Sequence, residues 1–123
     1  MFKIKFDSIP SKYWSTKTKI EFLERRIIVS SIQYYELNQT VIEDYMYDGI
    51  SQQLVELINE SPKEFEKTRY YYCFKEFDGS TGFDLPRKLN RSKNINNPGG
   101  MSDYEYLLQI AQRLLKFNRK LRR

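Results

Sequence analysis

The sequence feature that most constrains the fold is a regular apolar stripe between residues 15 and 38. Its apolar side chains recur at intervals of three and four residues, which is the repeat of one face of an α-helix. The stripe consists of Ile20, Phe22, Leu23, Ile27, Ile28, Ile32, Tyr35 and Leu37. It predicts a long first helix over residues 15–38 whose apolar face packs into the core.

A second helix is predicted to follow a short hinge. Residues 38–40 interrupt the apolar repeat, and Thr40 with Glu43 three residues later matches a capping box, in which both side chains accept backbone hydrogen bonds. We expect this helix to begin near residues 41–44 and to end near Asn59. Gly49 lies inside this helix, where glycine lowers helix stability by about 1 kcal/mol relative to alanine. We expect that close packing at this position requires the glycine.

Two further helices carry similar start signals. Ser61, Pro62 and Glu64 predict a third helix over residues 62–77, with a capping serine and a proline in the first turn. The run YYYCF at residues 70–74 also has high strand propensity, and we expect it to belong to the core. Ser102 with Glu105 predicts a last helix over residues 103–119. The side chains expected on its buried face are Tyr106, Leu107, Ile110, Leu114, Leu115 and Phe117.

These signals together predict a mainly α fold. The chain has 123 residues, of which 40% are hydrophobic, enough for one domain with a modest core. The predicted single domain over residues 1–123 is built on a helix–hinge–helix unit over residues 15–60. A short extended arm over residues 1–14 precedes this unit, and a long loop over residues 79–101 separates it from a C-terminal helix over residues 102–120.

The composition excludes several function classes. The chain has no histidine and one cysteine, Cys73, which excludes the usual zinc-ligand sets and serine–histidine or cysteine–histidine catalytic pairs. It contains no glycine-rich phosphate loop and no apolar run near the roughly 20 residues of a membrane span. The N-terminus MFKIKFDSIP lacks the apolar core of a signal peptide. We therefore expect a cytoplasmic protein that is not an enzyme, needs no cofactor or metal and does not bind membranes.

Charge is divided unevenly along the chain. Residues 1–60 contain 7 basic and 9 acidic side chains, whereas residues 61–123 contain 14 basic and 7 acidic ones. A basic segment can follow a phosphate backbone, which makes nucleic acid a candidate partner. The alternative is a solvated helix end, where cations suit the helix dipole. The candidate nucleic-acid contacts are Arg87, Lys88, Arg91, Lys93, Arg113, Lys116, Arg119, Lys120, Arg122 and Arg123.

Tyrosines and acids are concentrated around the predicted hinge. Asp44, Tyr47 and Asp48 stand at positions i, i+3 and i+4 and share one face of the second helix, and Tyr34 and Tyr35 lie in the last turn of the first helix. Aromatic rings beside carboxylates suit a flat cation, because the rings stack on it and the acids neutralise it. The alternative is a buried aromatic corner with a solvated acidic face.

The same residues resemble a known family. Tyr34-Tyr35, then eight residues, then Asp44-x-x-Tyr47-Asp48 is similar to the N-terminal helical subdomain (domain Ia) of NAD⁺-dependent bacterial DNA ligases, and to small phage proteins related to that ligase. The resemblance covers about residues 20–60. It implies a site for nicotinamide mononucleotide (NMN) or NAD⁺, with Tyr34 and Tyr47 against the nicotinamide ring and Asp44 and Asp48 on the ribose and carboxamide. Tyr35 stands where the family has histidine.

The catalytic part of such a ligase has no counterpart here. The family's Lys-x-Asp-Gly nucleophile motif is approached only by KEFDG at residues 75–79, which has one residue too many between the lysine and the aspartate. The resemblance therefore implies a non-catalytic binding or accessory module. Two other functions stay open: a protein-interaction or inhibitor protein that reuses this scaffold against a host or phage protein, and a nucleic-acid-binding accessory protein that uses the basic half.

Overall fold

The computed structural model describes residues 13–39, 44–79, 82–89, 91 and 100–121, with the backbone alone described at residues 44 and 118–121. The predicted mainly α fold is confirmed, and the described residues contain no strand. The α-helices are α1 (Thr16–Ser31), α2 (Asp44–Glu60), α3 (Pro62–Glu66), α4 (Tyr71–Phe74), α5 (Leu85–Lys88) and α6 (Asp103–Leu121), with a π-helical segment at Ile32–Glu36. In this part of the chain no helix has the length and apolar character needed to cross a membrane.

Helix α1 begins as its sequence predicts but ends earlier. The Thr18 backbone N–H donates to Ser15 Oγ at 3.2 Å, which caps the first turn. Ile20, Leu23, Ile27 and Ile28 on the predicted stripe are fully buried or nearly so. The prediction that the α-helix continues to residue 38 is wrong, because α1 ends at Ser31 and the chain passes into the π-helical segment.

The π-helical segment ends in a turn that asparagine favours. The Leu37 N–H donates to the Ile32 carbonyl at 3.0 Å, and the Gln39 N–H reaches back to the Gln33 carbonyl at 2.8 Å. Asn38 between them has a φ of +56°, in the left-handed region that asparagine tolerates better than most residues. This turn ends the helical path that the sequence predicts to break at residues 38–40.

The chain packs as two compact units. The first unit comprises Met1–Ile27 and Ile42–Thr81, and the second comprises Ile28–Val41 and Gly82–Arg123. Helix α1 therefore contributes to both units. The single domain expected from the sequence stays a prediction, as does the N-terminal arm, of which residues 1–12 lie outside the described residues together with the Thr40 and Glu43 capping box.

The predicted third helix of the first unit is interrupted. Helix α3 ends at Glu66. The N–H groups of Lys67 and Thr68 donate to the carbonyls of Glu64 and Phe65, three residues earlier, at 3.1 Å each. A turn then leads to α4, so a continuous helix over residues 62–77 is wrong, and so is the strand alternative at residues 70–74. Ser61 also makes no side-chain cap bond. Tyr70, Cys73 and Phe74 are buried, which confirms the core prediction for these three residues, whereas Tyr72 is exposed.

Two glycines of the first unit differ in their surroundings. A Cβ atom added at Gly49 in α2 would meet no atom of the described residues within 4 Å, so the expected close packing there is wrong. A Cβ atom at Gly79 would lie 3.1 Å from Cγ2 of Val55, and Gly79 has a φ of +91°. Gly79 is therefore the position where this unit requires a glycine.

In the second unit, α6 packs against the π-helical segment. Gln33 is buried and its Nε2 donates to the Ala111 carbonyl at 3.1 Å. The predicted capping box is confirmed, because the Glu105 N–H donates to Ser102 Oγ and the Ser102 N–H donates to Glu105 Oε1, each at 3.1 Å.

The buried face of α6 is narrower than predicted. Leu107, Ala111 and Leu115 recur every four residues and are buried. Tyr106 and Phe117 are wrongly predicted as buried, since they lie off this row and are 45% and 51% exposed. A row spaced by four residues covers one narrow face of a helix, and a side chain one residue before it or two after it points elsewhere.

The predicted loop over residues 79–101 contains a short helix. Helix α5 begins with Leu85 and Pro86, both buried, and Leu89 just after it is also buried. Proline suits the first turn because the N–H it lacks would have no helical partner there. The apolar anchors Leu85 and Leu89 hold this short segment in place, so a loop without secondary structure is wrong for residues 85–88.

Candidate functional site

The π-helical segment presents two tyrosine rings to solvent. Ile32 and Gln33 at its start are buried, whereas Tyr34 is 56% exposed and Tyr35 is 39% exposed. The two rings meet edge to face, with centroids 4.8 Å apart and planes at 87°. The alternative of a buried aromatic corner therefore fails for these two tyrosines. π-Helical turns inside α-helices are frequent at functional sites.

The two rings line a cleft together with two amide side chains. Tyr34, Tyr35, Asn38 and Gln39 form its described walls, and its volume is about 380 Å³. Clefts of roughly 300–1,000 Å³ hold small molecules and cofactors in other proteins. Aromatic faces can stack on a flat ring, and amide groups can both donate and accept hydrogen bonds. We call this cleft the tyrosine cleft, and its described lining belongs to the second unit.

A further aromatic ring and an arginine extend from the tyrosine cleft. Phe83 packs edge to face against Tyr35, with ring centroids 5.3 Å apart and planes at 84°. The guanidinium carbon of Arg87 lies 4.9 Å from the centre of the Phe83 ring. Phe83 is 49% exposed. Phe83 could not be predicted as part of this cluster, because no periodic sequence pattern joins a loop residue to a distant tyrosine.

Glu36, Arg91 and Tyr104 form a second polar cluster in the same unit. Glu36 Oε2 lies 3.2 Å from Arg91 Nη2, and the Tyr104 hydroxyl donates to Glu36 Oε1 at 2.6 Å. The guanidinium of Arg91 stacks 4.0 Å from the Tyr104 ring centre and also donates to the Pro86 carbonyl at 3.1 Å. Burial raises the pKa of Tyr104, and the neighbouring Glu36 carboxylate raises it further. With both oxygens of Glu36 engaged, this cluster ties the π-helical segment to α6.

The acidic half of the predicted site belongs to the first unit. Asp44 is the first residue of α2, Tyr47 is half-buried and Asp48 is exposed on the same helix. The structure brings Tyr34 and Tyr35 together in the tyrosine cleft. Their association with Asp44, Tyr47 and Asp48 stays a prediction.

The predicted nucleic-acid contacts differ in whether their charge is already neutralised. Lys88 Nζ lies 3.3 Å from Asp84 Oδ2, and Arg91 is paired with Glu36, whereas Arg87 has no ion pair among the described residues. Arg113 and Lys116 are exposed on α6. For Arg119 and Lys120 only the helical backbone is described, and Lys93, Arg122 and Arg123 lie outside the described residues.

Glu24 is a buried carboxyl group that the sequence did not lead us to expect. It is fully buried, and burial raises its pKa from its ordinary value of 4.5 to about 8. Thr68 Oγ1 lies 3.0 Å from its Oε2. Its position four residues after Ile20 and three before Ile27, on the buried stripe, was the available signal. Since no part of Glu24 reaches solvent, we assign it to the core rather than to a binding site. The described residues contain no group of three or more potential metal ligands.

Comparison of the chain with protein-family models, with curated proteins and with solved structures finds no match. The resemblance to the ligase subdomain therefore depends on the tyrosine and aspartate pattern by itself and stays a prediction.

Proposed function

We propose that the protein is a non-catalytic module that binds the flat, cationic ring of NMN or NAD⁺ in the tyrosine cleft. One observation carries this proposal: two exposed tyrosine rings stand at right angles in a cleft of about 380 Å³. An exposed aromatic pair gains by stacking on a ligand ring, because apolar surface leaves water.

The chemistry of the lining suits this ligand. The face of a tyrosine ring attracts a positively charged pyridinium by about 0.5–2 kcal/mol. The side chains of Asn38 and Gln39 can exchange hydrogen bonds with the carboxamide of nicotinamide. The ligase resemblance implies further contacts from Asp44, Tyr47 and Asp48. Titration of the Tyr47→Ala variant with NMN tests this implication directly.

The test is calorimetric titration of the purified chain with NMN, NAD⁺ and NADH. NMN and NAD⁺ should bind, and NADH should bind more weakly because its nicotinamide ring is neutral. Tyr34→Ala should abolish NMN binding without loss of helical circular dichroism, since the ring is largely exposed. Tyr106→Ala removes a similarly exposed ring from α6 and should leave binding unchanged. Equal affinities for NAD⁺ and NADH would contradict the role of ring charge, and unchanged binding by Tyr34→Ala would place the ligand elsewhere.

The absence of catalysis is tested separately. Incubation with NAD⁺ and Mg²⁺ should leave the intact mass unchanged, because the motif at residues 75–79 lacks the spacing of an adenylated lysine. An added adenylyl group on Lys75 would contradict the non-catalytic assignment.

Single-stranded nucleic acid is the second candidate ligand, favoured by the arginine that stacks on Phe83 next to Tyr35. Aromatic rings and arginine together form stacking platforms for bases in proteins that bind single strands. A single-stranded oligonucleotide in the same titration separates the two functions, because only the second predicts tighter binding of the oligonucleotide than of NMN.

A further inference from the structure

We propose that Arg87 binds the phosphate of the nucleotide whose ring occupies the tyrosine cleft, an inference that rests on the proposed function. It narrows the ligand class to phosphorylated nicotinamide nucleotides and excludes the unphosphorylated nucleoside as the preferred ligand. Arg87 lies outside the residues covered by the ligase resemblance.

The position of Arg87 follows from a continuous series of ring contacts. Tyr35 forms a wall of the cleft, Phe83 packs edge to face on Tyr35, and the guanidinium of Arg87 lies over Phe83. Arg87 is therefore one ring beyond the wall of the cleft. In a mononucleotide the phosphate is separated from the ring by a ribose, so its binding group must likewise stand away from the stacking surface.

The charge of Arg87 is available for a ligand. Lys88 and Arg91, its basic neighbours in sequence, are paired with Asp84 and Glu36 at 3.3 and 3.2 Å. Arg87 is exposed and makes no ion pair among the described residues. A phosphate would therefore displace none of the described carboxylates in order to reach it.

The stacking contact prepares Arg87 for this role. The guanidinium of Arg87 is held over the Phe83 ring, which restricts its motion, and a guanidinium can form paired hydrogen bonds to two phosphate oxygens. The backbone beneath it is held by the buried Leu85 and Pro86, and the Arg87 N–H donates to the Asp84 carbonyl at 3.2 Å. Less conformational entropy is then lost on binding than for a free surface arginine.

The described lining of the tyrosine cleft contains no group that could neutralise a phosphate. The described residues of its lining, Tyr34, Tyr35, Asn38 and Gln39, include no cation. A basic group from outside this described lining would supply the charge, and Arg87, which makes no ion pair among the described residues, is connected to the cleft through Phe83 and Tyr35.

The experiment compares NMN with nicotinamide riboside, which lacks only the phosphate. Calorimetry on the wild-type chain should give at least about tenfold tighter binding of NMN, the usual gain from hydrogen bonds to a charged group. Arg87→Gln should reduce this ratio to near one while the affinity for nicotinamide riboside stays unchanged. Arg69→Gln is the matched control, since Arg69 is also exposed and lies 5.9 Å from the ring centre of Tyr70 in the first unit. It should keep the wild-type ratio.

The outcomes separate this inference from the proposed function. If both ligands bind but Arg87→Gln keeps the preference for NMN, or the wild type shows none, the assignment of Arg87 is overturned while the ring site stands. If neither ligand binds to the wild type, the proposed function fails and the inference fails with it. If Arg87→Gln weakens binding of a single-stranded oligonucleotide but not of NMN, the arginine serves nucleic acid and the inference is overturned. Thermal melts of each variant confirm that the fold is retained.

Discussion

At the scale of single residues, Glu24 shows how a carboxyl group can be accommodated in a core. Thr68 Oγ1 lies 3.0 Å from Glu24 Oε2 and 2.8 Å from the Phe65 carbonyl, but a hydroxyl has one proton to donate. A protonated Glu24 satisfies both contacts, because it donates to Thr68 while Thr68 donates to Phe65. A protonated form agrees with the pKa of Glu24, which burial raises to about 8. The nearby Glu21 carboxylate contributes to this rise.

The first prediction concerns the pH dependence of stability. Folded Glu24 keeps its proton up to about pH 8, whereas the unfolded chain releases it near 4.5. Between these values the folded state holds more protons, so the free energy of unfolding should fall as pH rises and level off above pH 8. The loss should be on the order of a few kcal/mol, at about 1.4 kcal/mol for each tenfold change in proton affinity.

Urea denaturation at pH 5, 7 and 9 measures this effect. Glu24→Gln stays neutral at every pH, so it should flatten the profile and be more stable than the wild type at pH 9. Glu56→Gln, a change on the exposed face of α2, should leave the wild-type profile. An undiminished fall in Glu24→Gln would assign the pH dependence to other groups.

The second prediction compares the two glycines of the first unit. Gly49→Ala should stabilise the protein by about 0.5–1 kcal/mol, because the added Cβ meets no neighbour and the unfolded chain loses freedom. Gly79→Ala should destabilise it by about 1–2 kcal/mol, because its φ of +91° and the contact with Val55 both oppose a side chain. Chemical denaturation measures both, and stabilisation by both substitutions would contradict this difference.

At the scale of the elements, helix starts that look alike in sequence differ in the bonds they make. Ser102 and Glu105 form a reciprocal capping box at the start of α6. Ser61 stands before a proline and an acidic residue, yet it makes no side-chain cap bond to α3. The Ser61 N–H instead donates to the Leu57 carbonyl at 2.9 Å, so this residue continues the last turn of α2.

The third prediction follows from this difference. Ser102→Ala should lower the free energy of unfolding by about 1 kcal/mol, since it leaves a helix N–H without its acceptor. Ser61→Ala should change it by less than about 0.5 kcal/mol. Guanidinium denaturation of the two variants provides the comparison. A larger loss in Ser61→Ala than in Ser102→Ala would show that the hydrogen bonds at these positions do not decide helix stability.

At the scale of the whole molecule, the net charge of +5 comes from the second half of the chain. Several of these cations are already used within the protein, since Lys67, Lys88 and Arg91 each pair with an acid. The net charge already counts these acids, so the excess of positive charge lies on other basic residues, of which Arg87, Arg113 and Lys116 are exposed. A single phosphate needs one such cation, whereas a long polyanion needs many.

The fourth prediction uses salt to measure this difference. Binding of NMN should weaken only a few-fold between about 50 and 200 mM salt, because a mononucleotide carries no condensed counterions to release. A protein that contacts six to ten phosphates of duplex DNA would lose roughly 10³–10⁵-fold over that range. Calorimetry with NMN and anisotropy with a labelled DNA duplex give the two slopes. Tight, steeply salt-dependent duplex binding would favour the nucleic-acid function instead.

Local sequence signals were sufficient for the mainly α fold, for the start of α6 and for the buried stripe of α1. The repeat of Ile20, Leu23 and Ile27 and the capping pair Ser102–Glu105 involve residues within one or two turns of each other, so neighbouring residues determine them. The sequence also predicted that the tyrosines at residues 34 and 35 lie together, but it did not predict that their rings are exposed.

Tertiary contacts decided the rest. The prediction of a regular helix to residue 38 failed because buried Gln33 bonds to Ala111 and Glu36 to Tyr104 and Arg91, contacts with residues far along the chain that hold Ile32–Glu36 as a π-helical segment. The prediction of a continuous helix over residues 62–77 failed because the Thr68 side chain is directed inward to Glu24. For the same reason, no local pattern could place Phe83 beside Tyr35, since only packing between distant segments brings these two rings together.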